Sequence, residues 1–459
     1  MKHLVYNRKM TLLRGFALLI ALMSTASAAD WKIGVARMKI TPGGPIWMSG
    51  YGNRNKPSEG VVHDLWAKAI AMEDKRGQRA VIVTTDIIGL PRAISEQIGA
   101  ECQKRWGLDR SRLMLNSSHT HTGPMVRENL NTMFDFSPEE SQRVRDYAQM
   151  LTKTLIDTIG AAIGDLQPGE ISYGEGTAPF AVNRRQFNSN GKVTIGVNPQ
   201  GAVDHSVPVL ALKGADGKLR AALFGYACHN TTLTGEFYKL SGDYAGFAQI
   251  EFEKMHPGAA GMFMLLAGGD QNPNPRSKDE LAIQHGRTLA TAVDAVLKGQ
   301  MKPVRGPLRA AFQLTELQFA PHTREDFEKE LSSKTPAAVR RAKEMLKAYD
   351  ERRPVTKVAY PVQAIRLGKD VTYVALGGEL VVGYGLRTKK EFPGETTVVA
   401  GYSNDVMCYI PTAQILKEGG YEAVDSMIYY GQPGPFAPDV EERVMGGVKN
   451  VMKRVGRAK

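Results

Sequence analysis

Ser117-Ser118-His119-Thr120-His121-Thr122-Gly123-Pro124 follows an apolar run, Leu113-Met114-Leu115, that ends in Asn116. The run reads as a buried strand opening into a loop. On an extended chain residues i and i+2 project to one side, so His119 and His121 would aim two imidazoles into one cleft. Two convergent imidazoles begin a zinc site, or form one zinc ligand beside a proton-handling neighbour. The competing account is a pair of surface or core-edge histidines held by hydrogen bonds. His229 also stands just past an apolar run, Arg220 to Cys228, and precedes Asn230-Thr231-Thr232. Strand ends in layered α/β proteins are where ligands collect. A third such place is Leu376-Gly377-Gly378-Glu379, where the glycines permit a tight turn and Glu379 opens an apolar helical stretch. A carboxylate there would also serve simply by complementing the helix dipole. The fourth is Thr396 to Ala400, followed by Gly401-Tyr402-Ser403-Asn404 and then Tyr409.

The elements that must position these residues follow from pattern. Strands are expected at Trp31 to Ile40, Val62 to Met72, Ala80 to Thr85, Glu170 to Tyr173, Val207 to Lys213, Arg220 to Cys228 and Met262 to Leu266. Two more follow at Ala359 to Leu367 and Val371 to Leu376. Helical periodicity marks Arg92 to Trp106, Tyr244 to Met255, Lys278 to Leu297 and a closing amphipathic stretch, Pro438 to Arg457. Ser137 with Glu140 spells a capping box for a long helix reaching about Ile163. Arg324 to Glu351 reads as charged, solvated helix broken near Pro336. Strands and helices interleave, which favours an α/β fold of mixed, layered sheets with flanking helices in one large domain.

The first 28 residues read as a signal peptide. Lys2, Arg8, Lys9 and Arg14 precede an apolar core from Gly15 to Met23, and Ala26-Ser27-Ala28 fits a cleavage site. Removal takes four cations and no anions, so the formal charge falls from +12 to +8. The product is expected to be exported, periplasmic or secreted; an uncleaved anchor is the alternative. The remaining basic charge is dispersed, which argues against a nucleic-acid partner. Cys102, Cys228 and Cys408 are too few, and odd in number, to staple the fold. Cys228 and Cys408 are expected as buried thiols facing away from any metal, with a bridge between them as the alternative.

Taken together the chain resembles the neutral ceramidase family, zinc amidases that hydrolyse the N-acyl bond of ceramide. The resemblance rests on Ile33-Gly34-Val35, Lys39-Ile40-Thr41, Met48-Ser49-Gly50-Tyr51, Ser118 to Pro124, Asn183-Arg184 and Cys228-His229. It continues through Gly242-Asp243-Tyr244-Ala245-Gly246, Gly269-Asp270, Gly378-Glu379, Ser403-Asn404 with Tyr409, and Tyr421-Glu422. The resemblance implies one zinc per chain, held by His119, His229, Glu379 and Tyr409, with a site left for water. It further implies that His121, Arg184 and Tyr421 face the substrate and its developing oxyanion, with His121 also able to carry a proton. The expected reaction is attack of zinc-bound water, its pKa lowered to about 7, on the carbonyl of an N-acyl amide, lipid or small molecule. A lipid substrate leaves room for peripheral membrane contact.

Three positions depart from the family pattern. Asn272 stands in Gly269-Asp270-Gln271-Asn272-Pro273-Asn274 where the family carries serine, and an amide cannot act as a nucleophile. The family usually adds a C-terminal immunoglobulin-like domain; here none is expected, and residues 29–459 are expected to form the catalytic domain. Pro42 replaces a glycine in the early turn. These departures keep open a zinc hydrolase of another ester or non-lipid amide, and a binding protein that retains the fold without turnover. A dinuclear metallo-β-lactamase-like site is disfavoured, because Thr122-Gly123 follows the histidine pair in place of the acid and third histidine such a site uses.

Overall fold

The computed structural model describes residues 30–127 and 129–457, so the expected leader peptide lies outside the described residues. Long apolar runs form a nine-stranded sheet. Its order is Ala260–Leu265, Leu219–Tyr226, Ser206–Gly214, Gln167–Thr177, Trp31–Lys39, Trp66–Asp74, Arg79–Thr85 and Leu113–Ser117, with Lys302–Val304 paired onto Gln167–Thr177. The inner pairs are antiparallel, but each edge ends in a parallel pair. Parallel neighbours need a crossover, and the helices Arg92–Trp106 and Asp243–Met255 supply it. A second sheet, Leu308–Gln318, Lys357–Leu367, Val371–Leu376 and Thr396–Ala400, repeats the device: its last pair is parallel and Val382–Glu391 is the crossover.

The two sheets pack face to face. Ile33, Ile70, Ile82, Met114, Leu212, Leu223 and Met262 meet Ile365, Leu367, Tyr373 and Val398 between them. Helices cover the outer faces. Arg92–Trp106 and Pro138–Gly164 lie over one half of the large sheet, and Asp243–Met255 with Asp279–Lys298 over the other. Val382–Glu391 and Val440–Arg454 cover the smaller sheet. The expected layered α/β architecture is therefore present. Ser137 and Glu140 form the expected capping box, and the charged stretch divides at Pro336 into Arg324–Glu330 and Pro336–Asp350. No helix among the described residues is long and apolar enough to cross a membrane.

Twist curls the large sheet until its edges meet at one end. Asn116, on one edge, accepts from Leu265 N at 2.9 Å and donates to Leu265 O at 3.2 Å on the other. The same amide donates to Gly401 O at 2.8 Å, which ties in the second sheet. The C-terminal ends of all three parallel pairs thus arrive at one place.

The structure adds elements the sequence pattern did not announce. A hairpin, Ala181–Phe187 and Val193–Asn198, carries Arg184, and Leu308–Gln318 forms an edge of the second sheet. The expected strand Val62 to Met72 begins at Trp66, because Gly60–Val61 pairs separately with Lys239–Leu240. All three cysteines are buried and free, so no bridge joins Cys228 to Cys408.

Candidate metal centre

Each nominated side chain sits just past a strand that belongs to, or abuts, a parallel pair. His119 and His121 follow Leu113–Ser117, and His229 follows Leu219–Tyr226. The parallel bridge Thr120–Asn230 then sets these two segments side by side. Glu379 and Tyr409 follow Val371–Leu376 and Thr396–Ala400, and a short parallel ladder places them directly opposite each other. Backbone bonds lock the frame: His119 N to Ile87 O, His229 N to Gln271 O, and Glu379 N to Cys408 O, at 2.8–2.9 Å.

The two imidazoles of the His-Thr-His motif do converge, with ring centroids 4.8 Å apart. The extended alternation expected to bring them together is absent. The strand ends at Ser117, and His119 has φ 58°, a left-handed conformation that a side chain adopts only where its surroundings compel it. The kink is what turns His119 inward. Gly50, at φ 93°, completes the wall. A Cβ there would lie 2.4 Å from His121 Nδ1, so only glycine lets the ring stand where it does.

Hydrogen bonds settle the tautomers. His119 Nδ1 lies 2.6 Å from Ile88 O and His229 Nδ1 lies 2.9 Å from Gly268 O. A carbonyl only accepts, so both Nδ1 atoms carry the proton and both Nε2 lone pairs face inward. Each Nε2 lies 2.9 Å from the same Oε2 of Glu379. His119 Nε2 is buried there without the geometry of a hydrogen bond. The Tyr409 hydroxyl lies 3.1 Å from His229 Nε2. Acceptors crowded this closely repel one another unless a cation, or an extra proton on a ring, stands between them. Burial, seconded by the Arg184 guanidinium, pushes the His229 imidazole down to about 4, which disfavours the extra proton at neutral pH. Ligands 2.0–2.1 Å from a tetrahedral zinc lie about 3.3 Å apart, close to the spacing here. The donor set therefore fits a zinc ion. His119, His121 and His229 also offer ring nitrogens within 4.8 Å of one another, so this buried group could itself hold a metal ion.

Charge is arranged around that point. Burial raises the Glu379 carboxyl, but a positive charge at the His119 and His229 rings more than offsets it and holds the carboxyl well below its ordinary range. Burial likewise holds His121 in its neutral form, and both its ring nitrogens are buried without a partner. Arg184 reaches Tyr409 from the other side, its Nη2 2.9 Å from the hydroxyl. A β-bulge between Asn183 and Arg185 makes this possible. It turns two successive arginines toward one carboxylate, Arg184 Nε to Glu422 Oε1 at 2.8 Å and Arg185 Nη1 to Glu422 Oε2 at 2.6 Å. Burial opposes the charge on Arg184, while Tyr409 and Glu422 restore it and hold the guanidinium firmly protonated. Tyr421 stacks edge-on against Tyr409 at 5.5 Å and lies under the Arg184 cation. The Asn272 amide oxygen lies 3.4 Å from Arg184 Nη1 and 3.2 Å from Thr231 Oγ1.

All eight nominated residues are thus gathered in one place. One expectation is corrected: Glu379 does not open the helix Val382–Glu391. It lies in the short ladder, and the carboxylate at that helix start is Asp270, whose Oδ1 accepts from Val382 N at 2.7 Å. Sequence reasoning also passed over Tyr430, which donates to Glu379 Oε1, Tyr402, which packs 4.6 Å from His119, and the pairing role of Glu422. For Tyr430 no sequence signal existed, since nothing in Tyr429-Tyr430 distinguishes one ring from the other.

Residues 31–276, more than half of the chain, match the family model described as neutral/alkaline non-lysosomal ceramidase, N-terminal. The chain belongs to this family. A neutral ceramidase of Pseudomonas aeruginosa is 27% identical over 265 residues, covering 56% of this chain and 39% of that protein. One of Drosophila melanogaster is 24% identical over 283 residues, covering 58% of this chain and again 39% of the relative. The matched stretch thus spans about two fifths of these ceramidases' length. In three dimensions the fold overlays the crystal structure of the Pseudomonas aeruginosa neutral ceramidase with a TM-score of 0.72, at 21% identity, over 93% of this chain and 75% of that one. The layered architecture is therefore the neutral ceramidase fold.

Proposed function

We propose that the protein is an exported, zinc-dependent amidase that hydrolyses an N-acyl amide bond, with ceramide or a related N-acyl lipid as substrate. The observation that carries this reading is the convergence of two Nε2 lone pairs, a carboxylate oxygen and a phenol oxygen on one point. Family membership and the relatives' names as neutral ceramidases support the choice of bond. His119, His229, Glu379 and Tyr409 would hold the ion. A bound zinc supplies a Lewis acid that makes water nucleophilic near neutral pH and polarises a carbonyl. The rest falls to the chain. Burial pushes the Tyr409 phenol well above its usual range, and the charged hydrogen bond from Arg184 opposes that push, toward the ionised oxygen a metal ligand needs. His121, neutral and unpartnered, takes the proton of the attacking water and returns it to the departing amine nitrogen. Tyr421, whose phenol burial keeps protonated, donates to the carbonyl oxygen as negative charge develops there.

A second reading, a zinc hydrolase of an ester or a non-lipid amide, is favoured by one observation. Asn272 replaces the family serine, and its amide oxygen is engaged by Arg184 and Thr231. Both readings meet one experiment. Purified protein is expected to hold about one zinc per chain. Hydrolysis is measured on N-acyl sphingosines, N-acyl amino acids and simple esters, before chelation, after it, and after zinc is restored. Activity on N-acyl sphingosines that disappears and returns supports the first reading. The same behaviour on esters or N-acyl amino acids alone supports the second. Activity indifferent to chelation rejects both.

A further inference from the structure

A carboxylate can bind a cation through one oxygen or through both, and the choice decides which metal and geometry a site prefers. Glu379 Oε2 faces the two histidines at 2.9 Å. Its other oxygen, Oε1, accepts a hydrogen bond from the Tyr430 hydroxyl. Resting on the zinc reading above, we propose that Tyr430 is the positioning residue that restricts Glu379 to one-oxygen ligation.

The chain is built to hold that hydroxyl still. Tyr430 lies just past the short 3₁₀ turn Asp425–Ile428, and its ring packs against three of the apolar clusters. The loop around it is pinned by Gln432, whose amide donates to Met407 O at 3.0 Å and whose backbone N donates to Met427 O at 3.1 Å. A phenol is protonated at neutral pH and can only donate to a carboxylate. With Oε1 drawn onto the Tyr430 hydroxyl, Oε2 is left as the oxygen that faces the two imidazoles. Two imidazoles, one carboxylate oxygen and one further ligand make the low coordination number zinc uses, whereas a carboxylate binding through both oxygens suits the six to eight ligands of calcium. Tyr430 also belongs to the segment that carries Tyr421, so one loop both faces the substrate and sets the ligand.

Tyr430→Phe keeps the ring and removes the hydroxyl. Zinc affinity is measured on the full chain by competition with a chromogenic chelator. The variant is expected to bind zinc about 10- to 100-fold more weakly than wild type, the usual effect of losing a ligand's hydrogen-bond partner. Tyr421→Phe, which removes a hydroxyl from the same loop but not from Glu379, is expected to leave zinc affinity unchanged. Equal affinity in Tyr430→Phe and wild type overturns the proposal while leaving the zinc reading intact. A wild type that binds no zinc overturns both.

Discussion

At the scale of single residues, the site separates groups that would hold an ion from groups that would stabilise charge. His119 and His229 each spend one nitrogen on a backbone carbonyl and aim the other at Glu379. Tyr421 touches neither histidine; it packs on Tyr409 and under Arg184. The two classes should fail differently. His119→Ala is expected to abolish zinc retention and cost several orders of magnitude in kcat. Tyr421→Phe should keep the zinc and lose about 10²–10³-fold, the usual price of one oxyanion donor. Zinc content measured alongside kcat on an N-acyl amide decides it; loss of metal from both variants would refute the separation of roles. Residue type and spacing marked out His119 and His121, but the full set was legible only through the family resemblance, because a histidine or a glutamate after an apolar run has ordinary structural uses. The direction of His119 was not legible. A left-handed backbone at that position is imposed by the Thr120–Asn230 bridge and the Ile87 and Ile88 carbonyls, which lie far off in sequence.

At the scale of elements, three parallel pairs with helical crossovers bring their ends together, and the loops after them are held by buried polar contacts. Asp270 is one such hold. It caps the helix Val382–Glu391 through Val382 N, and Asn183 Nδ2 donates to its other oxygen at 3.3 Å, so it joins the helix to the arginine-bearing hairpin. Burial pushes its carboxyl from 3.8 up to about 6, with the Val382 amide opposing. A raised carboxyl contributes stability that is fully present below pH 3.8 and is lost as pH rises through about 6. Asp270→Asn keeps an acceptor for Val382 and cannot ionise. Between about pH 4 and 7 wild type should therefore lose about 3 kcal/mol relative to this variant. The donor–donor conflict the new amide creates with Asn183 shifts the whole profile without changing its slope. Urea denaturation across that range reads the difference, and parallel profiles would contradict it. The apolar strands and capped helices of this frame were visible as patterns. The hairpin Ala181–Phe187 was hidden because most of its buried members, Asn183, Arg184 and Arg185, are polar and find partners far off in sequence, among them Asp270, Tyr409 and Glu422. Leu308–Gln318 was hidden because its apolar residues fall on both faces, with Leu314 half exposed on the outside.

At the scale of the whole molecule, substrate supply becomes the question, since a ceramide-like amide reaches an enzyme from a lipid surface and not from water. The hairpin that delivers Arg184 to the site turns Phe187, Ile195 and Val197 outward, each about half exposed, and Val424 stands exposed three residues beyond Tyr421. Cross-strand pairing puts Phe187 opposite Val193, and Ile195 one position further along the same ribbon face. Residues 186–198 include Lys192 and no acidic residue, in a chain of net charge +12, so the patch is compatible with an anionic bilayer. Under the lipid-amide reading we propose this patch as the peripheral contact. Burying a phenylalanine or isoleucine is worth about 1.5–3 kcal/mol each. Phe187→Asp with Ile195→Asp should therefore weaken binding to vesicles by on the order of 10²-fold or more. Because both side chains are about half exposed while Arg184, Tyr409 and the histidines are buried, turnover of a short-chain, water-soluble N-acyl amide is expected to stay within about twofold of wild type. Sedimentation with phosphatidylglycerol-containing vesicles measures the first quantity and a soluble assay the second. If the double variant sediments as well as wild type, the hairpin is not the membrane contact; if soluble turnover falls with binding, the ribbon acts through Arg184 and not through a lipid surface.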